Sequence, residues 1–268
     1  NCHLVQFYAW SNCDLDGYRT GRHDAFFIVL ERLEETLAQR LQVWKNLTGC
    51  QRSEISWLNA AFWRERVRVV EQIGQAVQHL HKHRIVHRDI KPDNIGFDSQ
   101  NRVKVFDLDV CRILPAKPVA VSQMDDSSNN DQRRKHRRQK HQRQDQWQQQ
   151  QMEEIDTRGH FFKLTKKVGS PRYMSPECAK GEPYNQQSDI YSMALVLHEV
   201  MTLQKPFEHV SSENHTKLVV HGGVRPELST MWTSELATLI RAMWHEDPTQ
   251  RPMIHHILCR LRAEYESH

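Results

Sequence analysis

Eight consecutive residues, His87-Arg88-Asp89-Ile90-Lys91-Pro92-Asp93-Asn94, constrain this chain more than any other feature. They crowd onto one short stretch a carboxylate that can serve as a base, an ammonium that can meet a phosphate and an amide oxygen that can hold a hard metal ion. Magnesium prefers hard oxygen ligands, and Asn94 offers one at a fixed remove from Asp89. Chemistry at a phosphorylated nucleotide needs these three parts close together. Ile85-Val86 and Val103-Lys104-Val105-Phe106 read as short strands on either side, which would hold the loop between them.

The rest of the chain predicts a packed core diluted by polar sequence. Only 38% of its 268 residues are apolar, a low share for a globular protein. No apolar run reaches the roughly 18 residues needed to span a membrane; the longest candidate, Met193 to Val200, is broken by His198 and Glu199. No signal peptide is visible at the start. The six cysteines form no C-x-x-C pair, which favours reduced thiols and an intracellular, cytoplasmic or nuclear setting. The first residue is Asn1, so the chain reads as a fragment. Between Asp125 and Gln151 seven Lys/Arg face four Asp, which accounts for +3 of the net +4. The remainder is nearly neutral, so nucleic acid is not expected as the main partner.

Leu4 to Trp10 and Ala25 to Leu30 read as strands, with turn residues from Asn12 to Gly21 between them. Apolar residues at Val67, Val70, Ile73, Val77 and Leu80 predict an amphipathic helix over Arg66 to His83. Ser188 to Thr202 reads as a buried helix. Thr233 to Trp244 and Met253 to Tyr265 read as further helices, with Pro252 in the first turn of the last. Residues of about 115 to 160 hold almost no aliphatic side chain, so they cannot offset the entropy of ordering and are expected to be disordered. Their basic cluster, Arg133 to Lys140, reads as a solvated spacer, or else as a nuclear-import or polyanion-binding patch.

The spacing H-R-D-x-K-x-x-N resembles the catalytic loop of eukaryotic protein kinases. Three further segments carry the same resemblance. Asp107-Leu108-Asp109 stands where the family has D-F-G. Val168 to Glu177 is similar to the G-T-x-x-Y-M-A-P-E segment, with Ser175 for Ala. Ser188 to Ala194 is similar to D-x-W-S-x-G at the start of the central helix.

This resemblance implies an α+β, protein-kinase-like bilobal fold: a mostly helical C-lobe over residues 34–268, and remnant β strands of the N-lobe with the hinge over residues 1–33. The disordered basic stretch then falls inside the activation segment. The implied activity is transfer of the ATP γ-phosphate to Ser or Thr hydroxyls of protein substrates, with Mg2+. Asp89 would orient the substrate hydroxyl and accept its proton, Lys91 would meet the γ-phosphate, and Asn94 and Asp107 would hold the metal. Lys91 and Ser170 point to the serine/threonine class. Leu30 would be the gatekeeper, and the backbone of Glu31 and Leu33 would meet the adenine edge. Gly96 lies where the family places a bulky residue under the adenine, and is expected to widen the pocket or weaken its floor. Leu108 is expected to act as a hydrophobic plug, forming with His87 and Phe7 the apolar stack between the lobes. Asp109 puts a carboxylate where the family has Gly. Glu177 should pair with Arg251 in a buried ion pair, and Asp189 should bond the backbone around His87 and Arg88. Arg88 would bind a phosphate on the activation segment, placed by an upstream kinase on Thr165 or Thr157. Asp93 and Glu199 match acidic positions of kinases that prefer basic residues before the acceptor.

No Gly-rich loop, V-A-I-K lysine or αC glutamate is found in these 268 residues, so the chain alone is expected to be inactive. The alternative from another class is a pseudokinase, a scaffold that keeps the fold and binds partners without phosphoryl transfer.

Overall fold

The computed structural model describes residues 1–10, 27–50, 56–114 and 161–268. The turn expected over Asn12 to Gly21, Thr157 and the basic stretch at 115–160 lie outside them. In chain order the elements are β1 (Phe7–Trp10), β2 (Ile28–Leu30), β3 (Glu35–Thr36), α1 (Leu37–Cys50), α2 (Ser56–Lys82), β4 (Ile85–Val86), β5 (Ile95–Phe97), β6 (Val103–Val105), β7 (Arg112–Ile113), α3 (Pro176–Lys180), α4 (Gln187–Thr202), α5 (Ser212–His215), α6 (Ser234–Met243) and α7 (Ile254–Ser267).

The helical body forms around α4. Its sequence is largely apolar and every residue from Gln187 to Met201 is buried; the buried polar side chains Asp189, Ser192, His198 and Glu199 each have a hydrogen-bond partner, as burial requires. Against it lies α2, whose inner stripe of Val67, Val70, Ile73 and Val77 is fully buried, with Leu80 at 2% exposure. Helix α2 begins ten residues before the predicted start, because Phe62 and Trp63 also pack against the core. Helix α7 closes the same face. At Gly74 a Cβ would lie 2.9 Å from Leu258 Cδ2 and 3.0 Å from Met193 Cε, so this glycine lets α2 approach α4 and α7 closely. Thr233 caps α6 by accepting from the Leu236 N–H at 3.1 Å, which satisfies one of the free donors at the helix start.

Helix α1 has no counterpart in the sequence reading. It buries Leu37, Leu41 and Trp44, while Val43 and Leu47 are 51% and 56% exposed; apolar residues on both faces blur the helical period. Pro252 does not sit in the first turn of α7. The helix starts at Ile254 with Met253 as its N-cap in extended conformation, so Pro252 precedes the cap.

Among the described residues three small antiparallel sheets complete the fold: β1–β2, β3–β5–β6 and β4–β7. Their order positions the site. Strand β4 leads into residues 87–94, β5 leads out, β6 delivers Asp107, and β7 returns to pair with β4. The predicted strand Leu4–Trp10 is shorter than expected. Val5 N–H instead donates to Val105 O at 3.0 Å and Val105 N–H to His3 O at 2.8 Å, so residues 3–5 run along β6 and only Phe7–Trp10 pair with β2. All seven residues of β1 and β2 are exposed.

Candidate active site

The loop at 87–94 is held from below by α4. Asp189, in the first turn of that helix and fully buried, accepts the backbone N–H of His87 through Oδ2 and that of Arg88 through Oδ1, both at 2.9 Å. His81 Nε2, near the end of α2, lies 2.9 Å from the same Oδ2. Burial opposes a charge on Asp189, but the hydrogen bonds from His81 and the Arg88 amide outweigh it and hold the carboxyl below the usual aspartate range. His81 was not singled out from the sequence. One of three histidines at 79, 81 and 83, around the end of α2, carries no signal without its partner.

Asp89 is the hub of the loop. Oδ2 accepts from Lys91 Nζ at 2.8 Å and from Asn94 Nδ2 at 2.9 Å. Oδ1 accepts the backbone N–H of Ser170 at 2.7 Å. Lys91 Nζ also donates to Ser170 Oγ at 2.8 Å, which joins segments 79 residues apart. Burial raises the Asp89 pKa, but the Lys91 and Ser170 hydrogen bonds prevail and lower it, so the carboxylate is ionised near neutrality. The junction depends on Gly169. Its φ is +96°, and a Cβ there would lie 2.3 Å from Arg88 O.

Asp107 is placed by Phe106. The Phe106 N–H donates to Asn94 O at 3.0 Å, and Phe106 O lies 3.2 Å from His87 Nε2. Asp107 itself is exposed, takes the left-handed conformation (φ 62°) and forms no hydrogen bond among the described residues. Both Asn94 amide hydrogens go to Asp89 (O and Oδ2), which leaves Oδ1 uncommitted. Asn94 Oδ1 and the Asp107 carboxylate are therefore two hard oxygen donors tied together through Phe106, a donor set that fits Mg2+.

The plug and stack do not form as expected. Leu108 is 43% and Phe7 45% exposed, and Phe7 pairs with Trp10 at 5.2 Å between ring centroids. Only His87 of the three is buried. The left-handed turn at Asp107 carries Leu108 outward, where no described residue covers it. Asp109 is exposed beside it.

On the nucleotide side, Glu31 N–H donates to Gln6 O and Glu34 N–H to Phe97 O, both at 2.8 Å. Between these ties the Glu31 carbonyl and the Leu33 N–H have no partner among the described residues. Leu30 is 45% exposed. Gly96 is buried in β5, and it does not widen the space above it. A Cβ at Gly96 would meet Leu33 Cδ1 at 2.7 Å and Phe106 Cε1 at 3.4 Å, so those side chains already close the position. The Glu31 carboxylate adds an unforeseen tie, an ion pair at 2.9 Å with Lys104, which is 4% exposed.

Two further contacts brace the returning segment. Glu177 and Arg251 form a bidentate pair, Oε1 to Nη1 at 2.7 Å and Oε2 to Nη2 at 2.9 Å. Tyr173 OH donates to Glu199 at 2.6 Å, beside a cavity of about 180 Å³ lined by Asp93, Glu208, Lys45 and Lys205 among others. Arg88 does not meet Thr165. Its guanidinium bonds Val110 O and the Tyr184 hydroxyl, and Thr165 is exposed.

A loop that gathers base, cation and metal donors on a helix-backed platform, fed by two short strands, is the arrangement of a phosphotransferase catalytic core. A family model described as protein kinase domain matches residues 3–129, and one described as protein tyrosine and serine/threonine kinase matches residues 151–261. Together the two models take in most of the chain, which belongs to the protein kinase superfamily. It is similar to serine/threonine-protein kinase Nek4 of Mus musculus (27% identical, 74% of this chain, 19% of the relative). It is also similar to Nek3 of Mus musculus (29%, 70% and 28%) and to STY46 of Arabidopsis thaliana (26%, 73% and 26%). The chain thus spans less than a third of the length of these curated relatives. Among the described residues no helix is long and apolar enough to cross a membrane.

Proposed function

We propose that the protein carrying this chain is an active kinase that transfers the γ-phosphate of ATP to serine or threonine hydroxyls of other proteins. The observation that carries the reading is the convergence on Asp89 of Lys91, Asn94 and the Ser170 amide. Bound Mg-ATP supplies the phosphoryl group and the charge neutralisation that its transfer requires. This chain's residues supply the base, the cation and the metal donors. The Asp89 carboxylate, kept ionised, accepts the proton of an incoming hydroxyl on the face left free by its three donors. Lys91 holds that carboxylate in place and offers a cation to the phosphate side. Asn94 Oδ1 and Asp107 would hold the metal, and the backbone of Glu31 and Leu33 would meet the adenine edge, with Leu30 as gatekeeper. Residues 1–33 serve as the rear of the N-lobe and the hinge, and residues 34–268 as the C-lobe.

Asp93, joined by Glu199 as that carboxyl ionises at about pH 7, gives the substrate groove beside Tyr173 an acidic wall that favours basic residues near the acceptor. A peptide array without any preference for Arg or Lys would end this part of the proposal.

The test is phosphoryl transfer from Mg-ATP to a generic Ser/Thr substrate by the protein expressed from its complete reading frame, beside Asp89→Asn. Activity in the wild type, reduced about 10²- to 10⁴-fold in the variant, is the result expected for loss of a positioned base. A folded wild type no more active than the variant would turn the reading to a scaffold.

A further inference from the structure

Tyr184 stands outside the cluster around Asp89 but ties together the segments that build it. Its ring is fully buried against Met174 and Cys178, with Leu164 packed alongside. Its backbone exchanges a reciprocal pair of hydrogen bonds with Phe162, N to O at 3.1 Å in both directions. Its hydroxyl donates to Thr165 O at 2.7 Å and accepts from Arg88 Nη1 at 3.1 Å. Arg88 also donates through Nε to Val110 O. One phenol and one guanidinium thus link the loop that carries Asp89, the stretch after Asp107 and the returning segment at 162–165.

We propose that Tyr184 is the positioning residue that locks the returning segment onto Arg88, in the role a phosphate on that segment would otherwise fill. Three observations carry this. Arg88 is 7% exposed and already has acceptors on two of its nitrogens. Among the described residues Thr165 enters the clamp only through its main-chain carbonyl, and its side chain forms no hydrogen bond with them. The backbone pairing at Phe162 supports the clamp independently of any side chain at 165. The segment from Phe161 to Ser170 is therefore ordered on Asp89 without phosphorylation at Thr165. A phosphate taking the place of Tyr184 at Arg88 Nη1 would have to displace a buried, hydrogen-bonded phenol, and burying its charge carries a desolvation cost.

This inference rests on the kinase reading for its kinetic arm but not for its structural one. The full-length protein is compared as wild type, Tyr184→Phe, Thr165→Ala and Asp89→Asn, with kcat and both KM values measured before and after phosphatase treatment. Amide hydrogen exchange is followed over residues 161–170 and over α4. Tyr184→Phe is expected to lower kcat about tenfold or more, the effect of losing one hydrogen bond to a charged group, with KM for ATP nearly unchanged. It should speed exchange at 161–170 while α4 stays protected. Thr165→Ala and phosphatase treatment should leave both readouts as they are.

Unchanged exchange and kcat in Tyr184→Phe would overturn the proposal. So would loss of protection at 161–170 on phosphatase treatment or in Thr165→Ala. If α4 also loses protection in Tyr184→Phe, the variant is globally unfolded, and the phosphatase and Thr165→Ala arms decide. A wild type as inactive as Asp89→Asn sinks the kinase reading, and the exchange arm still decides the clamp.

Discussion

The carboxylate of Glu177 and the guanidinium of Arg251 face each other in a bidentate pair, with Arg251 at 0% and Glu177 at 4% exposure. The pair pins the returning segment, through α3, to the loop before α7. Arg251 also donates to Gln187 O at 2.8 Å and to His245 O at 2.9 Å, so it joins the start of α4 as well. Glu177→Gln or Arg251→Met leaves one buried charge without its partner, and either is expected to destabilise the fold by about 3–5 kcal/mol. The double change Glu177→Met, Arg251→Met should recover only part of that, because the Arg251 bonds to the carbonyls of Gln187, His245 and Glu246 are lost. Urea denaturation of the four proteins measures this; full recovery in the double variant would show that the carbonyl bonds contribute little.

Gly169→Ala asks the chain to hold a left-handed residue whose Cβ has no room beside Arg88 O. Strain of this kind is worth about 1–3 kcal/mol. Because the neighbouring Ser170 amide sits on Asp89, the larger effect should fall on catalysis. Displacing that contact by about an ångström is expected to reduce kcat roughly 10²-fold. A variant with lowered Tm and unchanged kcat would separate the glycine from the site.

Glu199 supplies a pH dependence. Burial pushes its carboxyl up to about 7 from 4.5, against the Tyr173 hydrogen bond and the charges of Lys205 and Arg172, with Asp93 adding to the rise. The folded state then binds this proton more tightly than the unfolded chain. Its stabilising effect is full below about 4.5 and fades as pH rises through about 7. The wild type should lose on the order of 3 kcal/mol relative to Glu199→Gln over that interval. Chemical denaturation of both proteins from pH 4.5 to 8 gives the difference curve, which should be flat if the carboxyl titrates normally.

Asp189 has the opposite sign. Its carboxyl is held below the ordinary range, so its contribution is present above the unfolded aspartate value and is lost as pH falls through the lowered folded one. Asp189→Asn cannot accept from His87, Arg88 and His81 together. It should cost about 1–3 kcal/mol for the unsatisfied donors and slow turnover, while flattening the acid limb of the stability curve. Equal acid sensitivity in variant and wild type would place that limb elsewhere.

Much of this architecture can be read from local pattern. The apolar stripe at Val67, Val70, Ile73, Val77 and Leu80 marks the inner face of α2, because helical period and burial are the same fact seen in sequence and in space. The largely apolar composition of α4 marks the central helix for the same reason, and the motif around Asp89 names the loop and its neighbours. Other features left no such trace. Helix α1 escaped because Val43 and Leu47 put apolar residues on its outer face. The stack through Leu108 was expected from position alone and is absent, since burial depends on what covers a residue. Gly96 is expected from its position to widen the pocket or weaken its floor, yet Leu33 and Phe106 close that position from other parts of the chain.

The sequence by itself determined which side chains could do chemistry, since a carboxylate, an ammonium and an amide within eight residues share a loop whatever the rest of the chain does. Only the tertiary structure decided what those groups touch. Ser170 reaches Asp89 across 81 residues, His81 reaches Asp189 across 108 and Tyr184 reaches Arg88 across 96. Contacts of that span follow from how helices and loops pack in three dimensions, and no local spacing encodes them.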